Sequence, residues 1–143
     1  MQKETHIKCR AVILHQGKLL LVKHAHDTSF SALPGGHLEW GENLQSCLER
    51  ELVEELGIKP KIGRLLYVNT YSQADGKHYL EFFFEVLNGE DYAHSTTTET
   101  SHAYELAEKL WVSPKDDVRI LPEKFNTDFK ENKLISETVK YIS

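Results

Sequence analysis

The feature that most constrains this chain is "NLQSCLERELVEELGIKP", residues 43–60, the one stretch whose helical pattern is unambiguous. Leu44, Leu48, Leu52 and Leu56 recur every four residues with Cys47 beside them, which draws one apolar stripe along a helix. Asn43 is placed to cap its start, with Ser46 three positions on, and Gly57 and Pro60 end it. A helix with one apolar face needs a surface to cover, and the flanking sequence supplies strands. "IKCRAVIL" and "KLLLVKH" lie on either side of "HQG" and read as a hairpin turning at Gly17. "RLLYVNTYS" and "HYLEFFFEVL" are joined by "QADGK", where Asp75-Gly76 marks a second hairpin. Strands, a helix and more strands predict a mixed α/β sheet with helices packed on its faces, in one domain without a visible linker.

The remaining segments are weaker. Residues 26–43, "HDTSFSALPGGHLEWGEN", read as a loop centred on Pro34-Gly35-Gly36, and "NGED" ends the strand before it. Residues 92–104 are polar and read as a mobile loop, and "KLWVS" reads as a short strand. Ser113 and Pro114 predict a capped helix, and Leu134, Val139 and Tyr141 give the tail from Glu123 to Ser143 helical spacing.

The same helix raises an electrostatic question. Glu51, Glu54 and Glu55 stack on one helical face, where like charges repel by a few tenths of a kcal/mol per pair, about 0.2–0.5. Such a run is either a solvated face or a seat for something positive. Carboxylates are the hard oxygen ligands that Mg²⁺ and Mn²⁺ prefer, Gly35-Gly36 lets backbone approach closely, and Arg50 can hold one carboxylate through its planar fork. Spacing alone does not name a reaction.

The register does carry a resemblance. Gly36, Glu42, and Arg50-Glu51-Leu52-Val53-Glu54-Glu55-Leu56-Gly57-Ile58 match the pattern G, five residues, E, seven residues, R-E-U-x-E-E-x-G-U at every defined position. The stretch resembles the Nudix box, and the hairpins and "LWVSP" extend the resemblance over residues 5–142. The resemblance implies an α/β/α sandwich and a divalent-metal hydrolase cleaving a diphosphate linked to another moiety. It implies Glu51, Glu54 and Glu55 as Mg²⁺ ligands (Mn²⁺ as substitute), joined by the Gly35 carbonyl, with Arg50 orienting Glu51 and Glu42 supporting the cluster. Glu51, with Glu55 close behind, is the expected residue to position or deprotonate water. A further catalytic glutamate before the last strand falls on Glu105, with Glu99 and Glu108 as competitors. Gly36, His37 and Tyr71 are candidate substrate contacts, with Tyr67 and Tyr79 as alternatives for stacking a base.

"LPGGHLEWGE" looks like the variants in small (deoxy)nucleoside triphosphate diphosphatases. The proline that ADP-ribose hydrolases often carry about fifteen residues after the box is missing from "YSQAD". A triphosphate is therefore the first substrate expectation and ADP-ribose or another nucleoside diphosphate sugar the second. A non-catalytic nucleotide-sensing module usually lacks box glutamates, and all are present here. An isoprenyl diphosphate isomerase would need a nucleophilic cysteine in the cleft, and neither Cys9 nor Cys47 is convincingly placed.

The blander residues are read as structure. Cys47 belongs to the core, Phe82, Phe83 and Phe84 must alternate between the two sides of a sheet, Trp40 covers a loop, and His24 and His26 lie at a strand end. The net charge of −5 gives no basic footprint for a nucleic-acid polymer or an anionic membrane, and the N-terminus lacks an apolar leader. Two cysteines without metal spacing read as reduced thiols of a cytoplasm-like compartment. Nudix proteins often dimerise, so a homodimer is allowed, though no patch marks its interface.

Overall fold

The computed structural model describes residues 3–24, 27–94 and 106–143, without the side chains of 27–30 and 106–107. Strands β1 (Glu4–His15) and β2 (Lys18–His24) form the first predicted hairpin, turning through Gln16 and Gly17 at φ 51° and 78°. Two successive left-handed residues match the twist of the strands they join. β5 (Ile62–Ser72) and β6 (Lys77–Val86) form the second, across Asp75-Gly76. The two hairpins meet where β1 pairs in parallel with β6, from Glu4↔Lys77 to Ile13↔Val86.

The strand order is β3 (Asp27–Ala32), β2, β1, β6, β5 and β8 (Lys140–Ile142), with β4 (Gly35–His37) on β1 and β7 (Leu106–Val112) on β2. Residues 26–43 are not one loop. They contain β3 (Asp27–Ala32), paired with β2, and β4 (Gly35–His37), paired with β1. Ser, Thr and Gly give little local strand signal, so tertiary pairing decides these segments.

Helix α1 (Leu44–Leu56) covers one face of the sheet, as its leucine stripe requires. Cys47, Leu48, Leu52 and Leu56 pack with Cys9, Ala11 and Ile13 of β1, Leu20 and Val22 of β2, and Phe84 and Val86 of β6. Leu48 and Leu52 are fully buried, and each contributes roughly 1.5–3 kcal/mol through the apolar area it removes from water. On the other face α3 (Glu123–Lys130) sets Phe125 and Phe129 against Val12, Leu19, Leu21, Tyr67 and Phe83. The three phenylalanines alternate as expected, with Phe83 on the α3 side and its two neighbours toward α1. The layering is helix, mixed sheet, helix.

Other expectations fail for local reasons. No helix starts at Ser113, whose N–H donates to Asp116 Oδ2 (2.8 Å) while Asp116 N–H donates back to the Ser113 carbonyl (3.0 Å), closing a turn. No apolar stripe follows Pro114 to sustain a helix. The tail is helical only to Lys130, and Asn132 at φ 58° turns the chain out. The chain ends as β8 (Lys140–Ile142), parallel to β5, so Leu134, Val139 and Tyr141 do not share a helix. Residues 89–94 form the short α2 (Gly89–His94), whose buried Tyr92 donates to the Ile58 carbonyl (2.8 Å). The rest of the expected 92–104 loop lies outside the described residues.

Candidate active site

The start of α1 is fixed more firmly than its sequence suggests. Asn43 Oδ1 accepts from Ser46 N–H (2.8 Å) and Asn43 N–H donates to Ser46 Oγ (3.0 Å), a complete capping box built with serine. Gly57 closes the other end in the left-handed conformation, φ 76°. Beside α1, Cys9 of β1 pairs with Gly36 of the short strand β4. A Cβ on Gly36 would stand 2.4 Å from the Glu51 Cδ, so only glycine leaves room for that carboxylate. Gly35, at φ 141°, runs so close to β1 that its Cβ would lie 2.0 Å from the Cys9 carbonyl oxygen.

Arg50 organises what surrounds this cradle. Its Nε and Nη2 form a fork on Glu42 (2.6 and 3.0 Å), and Nη1 reaches both Glu51 (2.9 Å) and Glu54 (3.2 Å). Nη2 also donates to the His37 carbonyl (3.0 Å), and Glu39 stands 3.7 Å from Nε. Sequence reasoning gave Arg50 one carboxylate; it holds three. Its hydrogen bonds to Glu42 and Glu51 keep it charged, and the guanidinium holds the Glu42 carboxyl below the usual carboxylate range. The repulsion among the helical glutamates is thus relieved in part by the arginine that precedes them.

Glu55 is on the same helix but buried, 7% exposed. Among the described residues no three His, Cys, Asp or Glu side chains are gathered into a ready ligand set. The donors nonetheless suit a hard cation. Arg50 engages one oxygen of Glu51 and one of Glu54, and the missing Cβ of Gly36 lets the Glu51 carboxylate pack directly against the β4 backbone.

The substrate candidates divide between two places. Gly36 and the His37 carbonyl are at the cradle, the His37 ring lies edge-on to His6, and the exposed Trp40 stands on the loop between β4 and α1. Tyr71 is across the sheet, stacked on Tyr79 with ring centroids 4.7 Å apart. Tyr67 is buried core, its hydroxyl donating to Asp128 (2.6 Å). Glu105, Glu99 and His26 lie outside the described residues. Glu108 faces away from α1 and stands 3.5 Å from Lys23. A hollow of about 350 Å³ beside Lys18, Lys115, Lys130 and Asn132 contains none of the expected site residues.

Sequence reasoning missed two groupings. Cys9 and Cys47, far apart in sequence, meet beneath the cradle, where Cys9 donates to the Leu44 carbonyl (3.3 Å) and Cys47 to that of His37 (3.4 Å). The hydrogen bond with Cys9 and burial push the Cys47 thiol up, and both cysteines are free and fully buried, which removes them as cleft nucleophiles. The second grouping is polar: Lys8, Arg10, Asn69 and Glu81 share the sheet face opposite α1. Charges alternating with apolar residues in "HIKCRA" and "YLEFFF" were its only sequence signal.

The profile of the NUDIX domain matches residues 5–132, most of the chain. The chain belongs to the Nudix family. Within it, the protein is 33% identical over 84 residues to an ADP-ribose pyrophosphatase of Methanocaldococcus jannaschii, a match covering 55% of this chain and half of that relative. A MutT NUDIX hydrolase from Burkholderia pseudomallei superposes with a TM-score of 0.70 at 22% identity, covering 94% of this chain and all of the other. An ADP-ribose pyrophosphatase from Streptococcus suis gives 0.65 at 17% identity over 96% and 98% of the two chains. These two structures bear on the fold, which is the Nudix fold. No helix among the described residues is long and apolar enough to cross a membrane.

Proposed function

We propose that this Nudix protein is a divalent-metal-dependent hydrolase that cleaves the diphosphate of a nucleoside diphosphate derivative. One observation carries the reading: Arg50 clamps Glu42, Glu51 and Glu54 at the glycine cradle of β4. A solvated acidic face would have no use for an arginine fork and a missing Cβ at the same point.

Glu51, Glu54 and Glu55, with the Gly35 carbonyl, would hold Mg²⁺, or Mn²⁺ in its place, and Glu42 would support them through Arg50. When bound, the metal supplies Lewis-acid stabilisation of phosphoryl charge and lowers the pKa of coordinated water. The chain's own share is placement. Arg50 fixes one oxygen of Glu51 and leaves Oε2 to orient or deprotonate the attacking water. Glu55 is the alternative base. Glu105 remains the proposed downstream glutamate.

ADP-ribose, or another nucleoside diphosphate sugar, is the first substrate to try, because the M. jannaschii relative carries that name. A nucleoside triphosphate is the second reading, supported by the form of "LPGGHLEWGE" and by the missing proline after the box. The free thiols fit a reducing compartment such as cytoplasm. The test is hydrolysis of ADP-ribose and of a triphosphate panel with Mg²⁺, with and without chelator, resolving AMP plus ribose 5-phosphate from monophosphate plus pyrophosphate. The expected result is chelator-sensitive cleavage that Glu51→Gln abolishes without unfolding. Cleavage untouched by chelator or by Glu51→Gln overturns the reading.

A further inference from the structure

The sheet face opposite α1 is covered by α3 over only part of its length. Beyond Phe83 and Tyr67 the ladders bring polar and aromatic side chains into two adjacent rows. In one, Asn69 pairs with Glu81, Glu81 with Lys8, and Lys8 with His37. In the next, Tyr71 pairs with Tyr79 and Tyr79 with His6. The rings form a continuous stack: Tyr71 on Tyr79, then His6 (5.2 Å, 26° to Tyr79), then His37 edge-on to His6 (5.4 Å).

The charges of this shelf are unevenly matched. Glu81 is fully engaged, Oε2 by Arg10 Nε (3.1 Å) and Oε1 by Asn69 Nδ2 (3.0 Å). Because a carboxylate only accepts, it fixes the Asn69 amide with Oδ1 turned away. That oxygen is buried and accepts no hydrogen bond from a described residue. Lys8 has no carboxylate within 4.0 Å among the described residues, and its Nζ rests 4.7 Å from the Tyr79 ring centroid. Burial and then Arg10 lower the Lys8 pKa against the opposing pull of Glu81, so a further anionic neighbour would favour its charged form. The shelf is also tied to the cradle. His37, the cross-strand neighbour of Lys8, gives its carbonyl to Arg50.

A half-buried ammonium held on an aromatic ring, beside a carboxylate already occupied, is set to receive an anion from outside. We propose that Lys8 is a substrate-positioning residue whose ammonium binds a non-bridging phosphoryl oxygen on the part of the substrate lying over this shelf, while the bond to be cleaved lies at the glycine cradle. The inference rests on the proposed function for its substrate class and assigns Lys8 no part in the chemistry.

The test uses the full chain with Lys8→Met, which keeps an apolar stem against Tyr79, and Lys8→Arg, which keeps the charge. With ADP-ribose and saturating Mg²⁺, Lys8→Met raises KM about tenfold or more and leaves kcat within about threefold. Lys8→Arg recovers most of the loss, and the Mg²⁺ concentration for half-maximal rate stays the same. An unchanged KM, or a loss confined to kcat, overturns the proposal. Metal-free titration with AMP separates it from the hydrolase reading. If the wild type cleaves neither ADP-ribose nor any triphosphate, AMP binding about tenfold weaker in Lys8→Met still supports Lys8, and equal or absent binding sinks it.

Discussion

Arg50 has five N–H donors in a rigid plane, and the fold directs them at Glu42, Glu51, Glu54 and the His37 carbonyl at once. An ammonium has neither the fork for Glu42 nor the span to reach Glu51. Arg50→Lys should therefore leave the fold intact and lower turnover by about 10–100-fold, because the carboxylates proposed to hold the metal lose an outer support. Steady-state rates at saturating Mg²⁺, with melting as control, check this. Gly36→Ala acts on the same carboxylate from the other side. With its Cβ 2.4 Å from Glu51 Cδ, the carboxylate must move, and the Mg²⁺ needed for half-maximal rate should rise about tenfold or more. Measuring activity against Mg²⁺ concentration decides it, and an unchanged curve would mean that Glu51 does not need its present place. These residues were legible because the cradle, the fork and the glutamates lie within one short stretch. Lys8, Asn69 and Glu81 were not, since β1, far from the β5–β6 hairpin in sequence, must pair with it before they meet.

At the scale of elements, α1 shows how far local signals reach. Its leucine stripe, Asn43 cap and glycine end all predict the helix that forms, yet a serine in the third position hid the strength of the cap. Removing the box with Asn43→Ala should cost about 1 kcal/mol, read as a lower urea midpoint at unchanged slope. Elements that owe their form to a partner were invisible. β3, β4 and β8 are short, and each is a strand because β2, β1 or β5 lies beside it. The expected helix at Ser113 failed for the converse reason, with a local cap motif that closes a turn and no apolar stripe after it to sustain a helix.

Across the whole molecule, one buried carboxylate links α3, β5 and β8, adding to their apolar packing and strand pairing. Asp128 accepts from the Tyr67 hydroxyl (2.6 Å) and from Lys140 (2.9 Å), with Lys124 at 3.2 Å. Burial alone would raise its pKa, but these partners outweigh it and the net shift is downward. A folded pKa below the unfolded value of about 3.9 gives stability that is full above that pH and lost as pH falls through the folded pKa. Asp128→Asn should cost about 1–3 kcal/mol near pH 7, and its gap to the wild type should narrow below about pH 4. Urea unfolding from pH 7 to pH 3 measures this, and a gap independent of pH would place the stabilisation elsewhere. The layered mixed sheet itself was legible from the order of elements, because a striped helix between two hairpins has few other ways to bury its leucines.

The parallel ladder of β1 and β6 has a temporal consequence. Glu4 pairs with Lys77 and Ile13 with Val86, so the chain's first strand takes its central neighbour from residues made much later. During vectorial synthesis β1 can close on β2 early but must wait until residue 86 has left the ribosome before its other edge is covered. Until then "CRAVIL" is an uncapped apolar strand, and a nascent chain stalled before β6 should be a chaperone client while one stalled well beyond it should not.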